Sequence, residues 1–169
     1  MTGLLSKALD RMVQALFYIG VLAGAAMALL ILASALLRYL AGAPISFSDE
    51  LAGLLFVTLA FTTFPYVMDR AEHIRLTILT ERFGPLGQRL CRFGACLIFF
   101  TFASVFVYES WNFMDFSKMI ESRSDVSGLL LWPWMALMPA AMAVCLLVEL
   151  RALWRLITTG EIQTGEERI

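Results

Sequence analysis

The chain has 169 residues, of which 60% are hydrophobic and only 16% charged, with a mean hydropathy of +0.77. Soluble domains sit nearer half apolar and a quarter charged, so a single water-exposed core is excluded and an integral membrane protein is expected. The net charge of −1 names no partner, and no basic cluster points to nucleic acid.

The first residues segregate on a helical wheel. Leu4, Leu5, Ala8, Leu9, Met12, Val13 and Leu16 take one half, and Ser6, Lys7, Asp10, Arg11 and Gln14 the other. This predicts an N-terminal amphipathic helix in the membrane interface, or else the first turns of span one. A charge-free run over 12–37 follows, too long for the core of a cleaved signal peptide, which is about 7–15 residues. Within it Gly20, Gly24 and Ala28 repeat every four residues, a spacing that admits a close helix neighbour.

Ser46-Phe47-Ser48-Asp49-Glu50 opens the next run, 51–68. Serines can cap a helix here, and Asp49 and Glu50 suit its positive N-terminal end, although a partner contact is the competing use. Pro65 falls where it would help to end the span. The connection that follows carries Arg70, Glu72, His73 and Arg75. His73 is the only histidine, and it has no clustered titratable partners. A hydrogen-bonding role in a charged loop is its default, with pH sensing as the alternative.

The third run, 93–108, is short for a span of about 20 residues, which places Glu109 in an interfacial last turn. The fourth, 126–148, contains Pro139, expected to kink it, and Pro133 near its first turn. Glu149 is expected at the interface. Cys91, Cys96 and Cys145 lie in or beside apolar runs without CxxC spacing and are expected to be buried core thiols.

The result is an all-α integral membrane protein forming a single four-helix domain over 1–169, with transmembrane helices near 14–38, 49–69, 90–112 and 129–151. Ten of the thirteen Lys and Arg residues lie on the side of both termini and the second connection; Arg38, Lys118 and Arg123 lie on the other. The positive-inside rule puts both termini in the cytoplasm. Trp111, Trp132 and Trp134 then gather at the outer interface and Trp154 at the inner one, as indoles prefer.

The span centres lack Asp, Glu, Lys, Arg and His, where a self-sufficient transporter usually buries an ionisable group. No phosphate-binding loop, nucleophile elbow or zinc motif is present, so neither an enzyme nor a cofactor is expected.

The acidic pair opening span two, followed by "LAGLLFVTLAFTTFPYVMDRAEHIRLTIL", resembles the small membrane subunit of TRAP (tripartite ATP-independent periplasmic) transporters. That family shows an aromatic-x-acid-acid opening, a short polar stretch and His-Ile-Arg-Val-Asp. The matching positions are Asp49, Glu50, His73, Ile74 and Arg75, with Arg70 in the polar stretch. Phe47 stands where tryptophan is frequent, and Thr77 where aspartate is.

The resemblance implies a bacterial inner-membrane subunit that braces a large multispanning membrane subunit and works with a periplasmic substrate-binding protein. The family imports organic acids such as sialic acids and C4-dicarboxylates on a sodium gradient. His73 then becomes a structural group in the cytoplasmic connection. An unrelated membrane scaffold subunit shares the composition but not the motif. A stand-alone four-helix exporter would need a buried carboxylate, and a quinone-linked thiol oxidase would need paired cysteines.

Overall fold

The computed structural model describes residues 2–43, 45–71 and 85–159. Five helices occur among them: α1 (Thr2–Leu40), α2 (Ser48–Ala71), α3 (Pro85–Met119), α4 (Trp132–Met135) and α5 (Leu137–Thr159). Four segments are long and apolar enough to cross a membrane: Ser6–Leu40, Ser48–Arg70, Phe93–Met119 and Trp132–Trp154. The last takes in both α4 and α5. The protein is an all-α, four-helix membrane protein.

The amphipathic N-terminal turns are not a separate element. They run without a break into span one as a 39-residue helix, roughly 58 Å long against a hydrocarbon core of about 30 Å. Part of their apolar face, Leu9, Val13 and Leu16, is used for packing. Val13 is buried with Val144 and Val148 of α5, and Leu9, Leu16 and Tyr66 close around them. The helix ends at Leu40, with Arg38 in its last turn beside the negative dipole end, and the chain turns away at Gly42, whose φ of +65° glycine adopts without strain.

α1 packs along α2, α3 along α5, and α2 and α5 on each other, with a smaller contact between α1 and α5. A second buried cluster, Ala103, Met142 and Cys145, joins α3 to α5, with Met68 of α2 against it. α5 therefore contributes to both cores.

Two local expectations change and one holds. Pro65 does not end α2, which continues to Ala71 with Pro65 fully buried inside it. Proline removes only one main-chain bond, and a packed membrane helix tolerates that. Pro139 interrupts its span, as expected. The interruption falls at Ala136, between α4 and α5, because a proline at 139 cannot donate to the carbonyl of Met135. α3 runs on past Glu109 to Met119, so Glu109 is an exposed residue within the helix and not in its final turn.

The thiols also divide. Cys96 and Cys145 are buried as expected, but Cys91 is exposed. Five helical positions separate Cys91 from Cys96, so when Cys96 faces α5 the other points well away from it.

Candidate functional site

Among the described residues the polar side chains draw helices together. They form two knots, one at each end of α2, and each knot ties separate parts of the chain together.

The first knot is built on Glu50. Asp49 and Glu50 occupy the first turn of α2, where the helix dipole favours negative charge. Ser48 is buried. Its hydroxyl donates to the Ile45 carbonyl at 2.8 Å and shares a 2.9 Å hydrogen bond with Ser34 of α1. The connection from α3 to α4 folds back through Ser124 N–H to Leu129 O (2.9 Å) and Leu131 N–H to Ser122 O (3.1 Å). Gly128, at φ +66°, makes the turn possible.

That turn aims four donors at one carboxylate. The N–H groups of Val126 and Ser127 donate to Glu50 at 2.8 and 2.9 Å, the Ser127 hydroxyl at 2.8 Å, and the Ser124 hydroxyl also donates. An ionised carboxylate only accepts, so it matches a set made wholly of donors. Asp49 is exposed beside it. Replacing Glu50 with alanine should therefore speed amide exchange at Val126 and Ser127 while leaving amides in the middle of α2 unchanged. Unchanged exchange at those two amides, read by hydrogen–deuterium exchange in detergent, would show that the turn holds without Glu50.

The second knot is built on Arg151 of α5. Its guanidinium donates through one nitrogen to Asp10 of α1 and through the other to Asp69 of α2. Arg151 is only 16% exposed, against 28% for Asp69 and 49% for Asp10. A forked, planar cation can hold two carboxylates at once. On the next side of α5, the Cys96 thiol of α3 donates to Glu149 at 2.7 Å. All four long helices thus meet at this end through polar contacts.

Aromatic contacts reinforce both ends. Arg70 lies 5.3 Å from the Tyr66 ring centre, and Tyr66 stacks on Phe17 of α1 at 4.1 Å. Lys118 lies 5.6 Å from the Trp132 ring centre, linking α3 to α4. These are cation–π distances.

Between the knots the contact is close and uncharged. Gly20 and Gly24 face α2. A Cβ on Gly20 would stand 2.5 Å from Thr63 Cγ2 and 2.6 Å from Thr62 Oγ1, and one on Gly24 would stand 3.3 Å from the Leu59 side chain. Ala28 is exposed, outside this contact, and Trp111 is 59% exposed. His73 and Arg75 lie outside the described residues.

The structure brings Glu50, Gly20 and Gly24 into contacts with other parts of the chain, whereas Arg70 packs on Tyr66 of its own helix. Sequence reasoning missed the partners: Ser124 and Ser127 on one side, and Asp10, Asp69 and Arg151 on the other. The one available signal for the second group was two acids and a base, each close to the same end of a different span.

Residues 27–159 match the family described as tripartite ATP-independent periplasmic transporters, DctQ component. A putative TRAP transporter small permease protein of Haemophilus influenzae is 26% identical over 105 residues, covering 62% of this chain and 64% of that relative. The match thus spans less than two thirds of the relative's length. No solved structure matches the chain.

Proposed function

The chain belongs to the DctQ-component family of tripartite ATP-independent periplasmic transporters, and from that premise we propose that it is a scaffold subunit which carries no substrate itself. It braces a large multispanning membrane subunit that, with a periplasmic substrate-binding protein, imports an organic acid of the sialic acid or C4-dicarboxylate class on a sodium gradient. The observation carrying this reading is where the polar groups are spent. Carboxylates and guanidinium groups close contacts between helices at the two ends of α2, while the stretch between is glycine, threonine and apolar side chains. Such knots hold helices in place, whereas a carrier places ionisable groups along a path near the midplane.

Purified alone into liposomes, the chain should move no organic acid under a sodium gradient. It should co-purify from native membranes with a second, larger membrane protein. Robust uptake by the isolated chain would overturn the scaffold reading.

In this reading the Arg151 end faces the cytoplasm and the Glu50 end the periplasm, an orientation that the split of basic residues supports. With the three native cysteines replaced by alanine, Asp125→Cys should react with an impermeant maleimide added to spheroplasts and Lys7→Cys should not. The opposite pattern would reverse the orientation.

A further inference from the structure

We draw no further inference here: the strongest candidate, the exposed face of α2 formed by Gly53, Phe56, Ala60, Phe64 and Val67 with Asp49 at its head, is an unpartnered helix surface, and nothing in the structure shows what covers it.

Discussion

Gly20→Ala is expected to destabilise the subunit more than any other single-methyl addition on the α1 strip. The new Cβ would meet Thr63 Cγ2 at 2.5 Å, Thr62 Oγ1 at 2.6 Å and the Leu59 carbonyl oxygen at 3.3 Å. Neither threonine can yield cheaply. Thr62 donates to Thr58 O at 2.6 Å and Thr63 to Leu59 O at 2.7 Å, so swinging either side chain away gives up a bond inside the membrane. α1 and α2 must instead move apart, loosening the Phe17–Tyr66 stack and the Ser34–Ser48 bond.

Lipid is as apolar as leucine, so close packing carries much of the association between these helices. Overpacking of this kind costs roughly 1–3 kcal/mol. Gly24→Ala should cost less, because only the flexible Leu59 side chain lies within reach; Gly24→Leu should cost more than Gly24→Ala and lower recovery of the assembled complex. Ala28→Leu should have little effect on the fold of the subunit. Melting in detergent at equal expression gives the order. A normal melting temperature for Gly20→Ala would refute the contact, and partial recovery in Gly20→Ala/Thr63→Ser, which removes Cγ2, would support it.

The strip shows how far local pattern reaches. Spacing marked Gly20 and Gly24 as a close-approach surface, because a four-residue repeat of small side chains is a property of one helix. That the surface is met by Leu59, Thr62 and Thr63 depends on how two helices are docked. The four apolar segments were legible for the same local reason: exclusion of charge from hydrocarbon is written residue by residue. Pro65 misled because the rule for proline is also local. Pro65 is tolerated where tertiary packing surrounds it. The acidic pair was legible as a helix start, but its division of labour was not. Glu50 reaches donors 74 to 77 positions away and Asp49 stays exposed, and the alternation of helix faces decides which acid turns inward.

Arg151→Met should cause the other large loss. Arg151 is joined to residues 141 and 82 positions away in the chain, so one side chain ties α1, α2 and α5 by charge at one end. Removing it leaves two carboxylates close together without their cation, one of them largely covered. Breaking a buried pair costs about 3–5 kcal/mol and an exposed one at most about 1 kcal/mol. With one acid mostly covered and the other half exposed, a value of about 2–3 kcal/mol is expected between those limits.

Arg151→Lys should recover only part of the loss, since a compact ammonium lacks the fork that spans both acids. The decisive comparison is the triple variant Asp10→Asn/Asp69→Asn/Arg151→Met, which removes the cation together with the negative charges it neutralises. It should melt above Arg151→Met alone, because most of the single-variant loss is the penalty of stranded charge and not the net worth of the bridge. If the triple variant melts no higher than the single one, the Arg151 stem is holding the helices by packing and the ion pairs are incidental. If Arg151→Met melts with the wild type, the knot contributes nothing to the fold and α5 is held by its two apolar clusters alone.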